Sequence, residues 1–232
     1  MTISTVFLDA GGVLVVPNWQ RVADALGGQG VKATPEALAA ADPLARRELD
    51  LGLAPHASDQ KRGFLYFNRV LEHAGVALSE RTEAALAALQ EYHARINLWE
   101  TVPEGVPEAL ERMRAMGLRL AVVSNANGKL KVLLERMGLA RHFDVMLDSH
   151  EEGVEKPDRR LFDLAVERMG ARREETVHVG DLFSVDVGGA RAAGLQAILL
   201  DPLDLYTGFD CERVHSLGEL ADRLRSRVQT QA

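Results

Sequence analysis

The chain has 232 residues, 47% of them hydrophobic and 26% charged, with a formal net charge of −7. This composition argues against general disorder and supplies a core for one large domain or two small ones, and the acidic balance disfavours non-specific nucleic-acid binding, which needs clustered basic surface. The single cysteine, Cys211, excludes an intrachain disulfide, and no apolar run approaches the roughly 18 residues of a membrane span. The N-terminus lacks a basic stretch leading into a long apolar core, so no secretory signal is expected. The expectation is a soluble cytoplasmic protein with neither nucleic-acid nor membrane partners.

In chain order, Val6-Phe7-Leu8 reads as a short buried strand that runs into Asp9, with Gly11-Gly12 making a tight turn behind it. From about 20 to 100 the pattern turns helical, over Arg21 to Leu26, Pro35 to Leu49, Phe64 to Ala74 and Ser79 to Ile96, with Ser79 as a helix start. Gly27-Gly28-Gln29-Gly30 follows no strand, so it reads as a flexible loop rather than a phosphate cradle. Val102-Pro103-Glu104-Gly105 punctuates a linker, and Glu104 to Met116 is an amphipathic helix. Strands are then expected at 118–123, 143–147, 176–179 and 196–200. Helices are expected at about 128–137, 158–169 and 184–193, each stopped by a glycine, with one more from about 218 and frayed residues at Gln229 to Ala232. Strands that alternate with helices mean a parallel sheet covered on both faces.

Four short motifs then fall in order. Asp9 ends the first strand, Ser124-Asn125 ends the strand at 118–123, Lys156 precedes Pro157 at a helix start, and Gly180-Asp181 ends the strand at 176–179 with Asp186 five residues on. In open parallel sheets the carboxyl ends of the strands are where ligands bind, so the topology gathers these residues along one edge. A carboxylate there serves as a nucleophile that forms a covalent intermediate. A hydroxyl and an ammonium hold the oxygens of a transferring phosphoryl group. Asp9 and Asp181 suit Mg²⁺, a hard ion that takes oxygen ligands. Asp186 near a helix start either favours that N-terminus or acts as a metal partner.

The four motifs together resemble the haloacid dehalogenase superfamily of hydrolases, and the resemblance covers nearly the whole chain, more weakly between about 17 and 100. It implies an α/β fold: a Rossmann-like parallel sheet core, 1–16 and 101–232, with a helical cap domain, 17–100, inserted after the first strand. It implies a Mg²⁺-dependent phosphohydrolase of a small phosphorylated metabolite, working through an aspartyl-phosphate on Asp9, with Ser124, Asn125 and Lys156 at the phosphate. The metal set implied is Asp9, the backbone carbonyl of Gly11, Asp181 and Asp186.

Gly11 stands where phosphatases of this superfamily usually carry a second Asp, which protonates the leaving oxygen and later activates water. Positioned acid–base catalysis is typically worth about 10²–10⁴ in rate. Its absence suits a leaving group that needs little protonation, such as an acyl phosphate, or a substitute among Asn18, Asp42, Asp50 and His56. It also suits a 2-haloacid dehalogenase, in which halide leaves without a proton, or a catalytically weak protein that binds a ligand or partner. Phosphonate-cleaving relatives use a cap lysine, and Lys32 and Lys61 are the only lysines between 17 and 100. The Asp-x-Gly-Gly-Val-Leu form of the first motif resembles a phosphatase-like branch best. His178 reads as strand packing, and Arg46-Arg47 and Lys61-Arg62 as solvated helix surface or anion contacts.

Overall fold

The computed structural model describes residues 2–52 and 59–228. The chain divides into two compact units: Met1–Val16 with Val102–Ala232, and Pro17–Thr101. Strand β1 (Thr5–Leu8) belongs to the first, and the chain then enters the second.

The unit Pro17–Thr101 is helical, with α1 (Trp19–Gly28), α2 (Pro35–Gly52), α3 (Asp59–His73) and α4 (Glu80–Arg95). Its core is one apolar cluster with Val22, Leu26, Leu38, Val70, Leu71 and Leu98 at its centre, as the helical spacing of apolar residues requires. Ser79 closes α4 with a capping box, its hydroxyl accepting from Thr82 N–H while the Thr82 hydroxyl accepts from Ser79 N–H. Gly27 and Gly28, expected in a loop, instead form the last turn of α1, because the chain turns only at Gly30, where φ is +72°. Asn18 caps α1 through Arg21 N–H and donates to Glu100, which also accepts from Arg21 and from the Tyr92 hydroxyl.

The first unit is a six-stranded sheet in the order β3-β2-β1-β4-β5-β6, every pairing parallel. After β1 come α5 (Val106–Ala115), β2 (Arg119–Ser124), α6 (Leu130–Arg136), β3 (Val145–Asp148), α7 (Ser149–Glu152) and α8 (Arg159–Met169). Then follow β4 (Thr176–Gly180), one π-helical turn at Phe183–Val187, α9 (Gly188–Ala192), β5 (Gln196–Leu200), β6 (Glu212–Val214) and α10 (Leu217–Arg225). Strand β1 is central: Leu8 pairs with Val122 of β2 on one side and Val179 of β4 on the other, so these three strands end together. The strand order reverses between β1 and β4, the switch point at which open α/β sheets bind ligands. Strands buried on both faces read as near-continuous apolar runs, and β1 and β4 are buried throughout. Phe7, Ala121 and Val123 pack against Leu161, Phe162, Ala165 and Met169 of α8.

Two further expectations are corrected. The helix expected at 184–193 is a π turn followed by the short α9; the turn widens because Asp186 reaches back to Leu182 N–H. Pro157 was expected in the first turn of α8; its peptide bond to Lys156 is cis, and Asp158 caps the helix, which starts at Arg159. The fraying expected at Gln229 to Ala232 lies outside the described residues.

Candidate active site

Asp9 follows β1, and its backbone N–H donates to Val179 O at 2.9 Å, which ties the start of the turn to β4. Its Oδ1 accepts from Ala10 N–H at 2.8 Å and lies 2.9 Å from Lys156 Nζ. The residue is buried, at 9% exposure. Burial pushes its pKa up, against the pull of Lys156 and of a hydrogen bond from the Ser124 hydroxyl.

Ser124 closes β2 and is buried. It does not cap the next helix, since α6 begins at Leu130 behind Lys129. Asn125 holds the Lys156 backbone: its amide donates to Lys156 O at 3.0 Å and accepts from Lys156 N–H at 2.7 Å. Expected at the substrate, this side chain is engaged by the Lys156 backbone on both of its polar ends.

Lys156 is 1% exposed, which a Lys–Pro pair in a sequence does not foretell. Its ammonium bridges Asp9 at 2.9 Å and Asp186 at 2.7 Å. Desolvation opposes the charge, yet the two carboxylates outweigh it and raise the Lys156 pKa, so the group is cationic throughout the physiological range.

Asp186 is fully buried. Its Oδ1 accepts from Lys156 Nζ at 2.7 Å and faces His178 Nε2 at 2.9 Å, and its Oδ2 accepts from Leu182 N–H at 3.0 Å. Although burial opposes it, Lys156 and these hydrogen bonds hold the Asp186 carboxyl well below the usual carboxylate range. Gly180 makes the placement possible, because a Cβ there would overlap the Asp186 carboxylate. His178, read from sequence as packing, does pack against Phe162, but it also touches Asp186. A histidine two residues before a strand-end glycine is the only trace of this in the sequence.

Asp9, Asp181 and Asp186 each bring a carboxylate oxygen within 4.8 Å of the others, the only such group among the described residues. Three carboxylates against one ammonium leave two negative charges among these four groups. An all-oxygen donor set with that surplus fits a hard divalent cation. Asp186 meets it with both oxygens already hydrogen-bonded. Gly11, whose carbonyl was the fourth expected ligand, forms a bridge with Val15 that shapes the turn behind Asp9.

The residues considered as substitutes for the missing acid are placed within the helical unit. Asn18 caps α1, and Asp42 is buried against Arg46 and the Tyr66 hydroxyl. Asp50 is buried. Arg46 is thus paired rather than solvated. His56 and the side chains of Lys61 and Arg62 lie outside the described residues.

Comparison with known proteins extends these observations. The family described as haloacid dehalogenase-like hydrolases matches residues 3–194. The chain is 37% identical over 160 residues to ribulose-1,5-bisphosphate 5-phosphatase of Halopiger xanaduensis, covering 68% of this chain and 65% of that protein. It is 39% identical over 136 residues to phosphoserine phosphatase of Thermus thermophilus, covering 58% of this chain and 53% of that one. The chain thus spans less than two thirds of the length of the curated relatives it matches. Among solved structures, the magnesium-bound HAD-hydrolase YfnB of Bacillus subtilis superposes with a TM-score of 0.68 at 17% identity, covering 97% of this chain and 99% of that one. A HAD phosphatase from Thermococcus onnurineus does so with a TM-score of 0.60 at 22% identity, covering 96% and 98%. At such identities the likeness is one of fold. No helix among the described residues is long and apolar enough to cross a membrane. With the family match over most of the chain and the parallel sheet, this chain belongs to the haloacid dehalogenase-like hydrolases.

Proposed function

We propose that this chain is a Mg²⁺-dependent phosphohydrolase of a small phosphorylated metabolite, with Asp9 as its nucleophile. The supporting observation is the buried ammonium of Lys156 held between Asp9 and Asp186 at the carboxyl edge of the sheet. Hydrogen bonds to Oδ1 fix the plane of the Asp9 carboxylate, and we assign Oδ2 to the attack on phosphorus. The phosphorus–oxygen bond of the substrate breaks as the bond to Asp9 forms, and water then releases phosphate and restores Asp9. Ser124 donates a hydrogen bond to a phosphoryl oxygen, and Lys156 offsets its charge. Asn125 acts through Lys156, by fixing its backbone. Asp9, Asp181 and the Gly11 carbonyl would hold the metal directly and Asp186 would flank it. Such an ion offsets the repulsion between Asp9 and the incoming phosphate.

Gly11 cannot deliver a proton to the leaving group, so the reading favours substrates whose leaving group needs little protonation, acyl phosphates first. The helical unit is assigned the part of a substrate-selecting cap, and the lone Cys211 suits a reducing, cytoplasmic setting.

One second reading has an observation of its own. Gly11 also suits 2-haloacid dehalogenation, in which halide departs as an anion. The acidic trio weighs against it, because that reaction has no need of a cation.

The test is phosphate release from a panel of phosphate esters and acyl phosphates, with Mg²⁺ and with chelator. Release that needs Mg²⁺ supports the proposal. Chelator-resistant halide release from simple 2-haloacids, with no phosphate from any panel member, moves the assignment to a dehalogenase. Neither product, with thermal stabilisation by a phosphorylated compound, moves it to a ligand-binding protein.

A further inference from the structure

His178 is fully buried in the middle of β4 and has no part in the chemistry above. It pairs in register with Phe7 of β1 and Ala197 of β5, and its ring meets Phe162 edge-on with centroids 4.9 Å apart. A phenylalanine would fill such a slot. The imidazole instead turns one nitrogen to Asp186, with Nε2 2.9 Å from Oδ1, and leaves Nδ1 buried without a hydrogen-bond partner.

That asymmetry fixes the proton. An ionised carboxylate only accepts, so Nε2 carries the hydrogen and Nδ1 is bare. Asp186 therefore has three donors: His178 and Lys156 at Oδ1 and Leu182 N–H at Oδ2. Lys156 and Leu182 both come from loops. His178 alone comes from a central strand with neighbours on both sides, and a partner on a rigid element sets orientation best.

We propose that His178 is a positioning residue, whose Nε2–H pins Asp186 so that Asp186 holds Lys156 against Asp9. This rests on the reading of Asp9 as nucleophile and Lys156 as its cationic partner. Partners that orient groups at a reacting centre typically cost about 10–100-fold when removed. H178Q keeps an N–H donor at the end of the side chain, whereas H178F fills the apolar slot with none.

Two measurements test it. Ring-nitrogen NMR of ¹⁵N-histidine-labelled wild type, assigned by the resonances lost in H178Q, is expected to show His178 protonated at Nε2 and bare at Nδ1. A proton on Nδ1 with Nε2 bare overturns the proposal. Hydrolysis of p-nitrophenyl phosphate with Mg²⁺ is then compared for wild type, H178Q and H178F, with melting temperatures alongside. H178F is expected to lose about 10–100-fold in kcat with KM unchanged, while melting no lower than H178Q. H178Q is expected to keep more kcat than H178F. A purely structural histidine gives activities that follow melting temperature, and that order overturns the proposal. Asp9→Asn in the same assay separates the two readings: wild-type turnover there removes the nucleophile assignment, while the NMR result bears on His178 alone.

Discussion

Lys156 Nζ stands 2.9 Å from Asp9 Oδ1 in a place where the lysine is 1% exposed. A cation so buried persists because its partners are close, and Asp186 on its other side completes the pairing.

Asp186→Asn keeps the shape and removes the charge that balances Lys156. Breaking a buried ion pair from one side costs roughly 3–5 kcal/mol. Urea denaturation of the variant should show a lower midpoint with an unchanged m value. An unaltered midpoint would mean that Asp186 does not stabilise the ammonium.

Gly180→Ala places a methyl group on the Asp186 carboxylate. Forced overpacking typically costs about 1–3 kcal/mol. The expected variant folds with a lowered melting temperature and loses phosphate release, because Asp186 must leave Lys156. Full activity with full stability would show that the carboxylate has another resting place.

Asn125→Ala removes both hydrogen bonds that fix the Lys156 backbone. Phosphate release should fall by about 10–100-fold, as for other orienting partners. Wild-type kinetics in this variant would return Asn125 to a passive place in the loop.

How far the sequence discloses this site depends on the kind of signal each residue leaves. Asp9 and Asp181 are legible because a short apolar run ending in an acid or in Gly-Asp is a strand end, and parallel strands bring such ends together. The burial of Lys156 is not, because a lysine before a proline looks like any surface turn. The second contact of His178 is hidden for another reason: a histidine in an apolar strand reads as packing, and its partner lies eight residues away across a π turn that no periodicity marks. Asn125 sits beside Ser124 and invites a substrate role, whereas its amide matches the backbone donor and acceptor of one residue, Lys156. Strand β6 is missed because Glu212-Arg213-Val214 is short and charged.

Acid stability offers a check away from the site. Glu219 accepts from His215 N–H at 2.8 Å and pairs with Arg223, and these contacts lower its pKa to about 2. A carboxyl whose folded pKa lies below its unfolded value stabilises the fold above the unfolded pKa and loses that contribution as pH falls through the folded one. Glu219→Gln should therefore melt lower than wild type at neutral pH, and the gap should close as pH falls from about 4.5 towards 2. A gap that stays constant over that window would contradict the assignment.

The central claim is the nucleophile, and it is tested most directly with Asp9→Asn. Phosphate release with Mg²⁺ is measured for wild type and variant on the substrate of the panel that wild type turns over fastest, with circular dichroism to verify the fold. The expected variant is folded with no measurable release, because the amide neither attacks phosphorus nor forms the covalent intermediate. A folded variant that releases phosphate at the wild-type rate would contradict it.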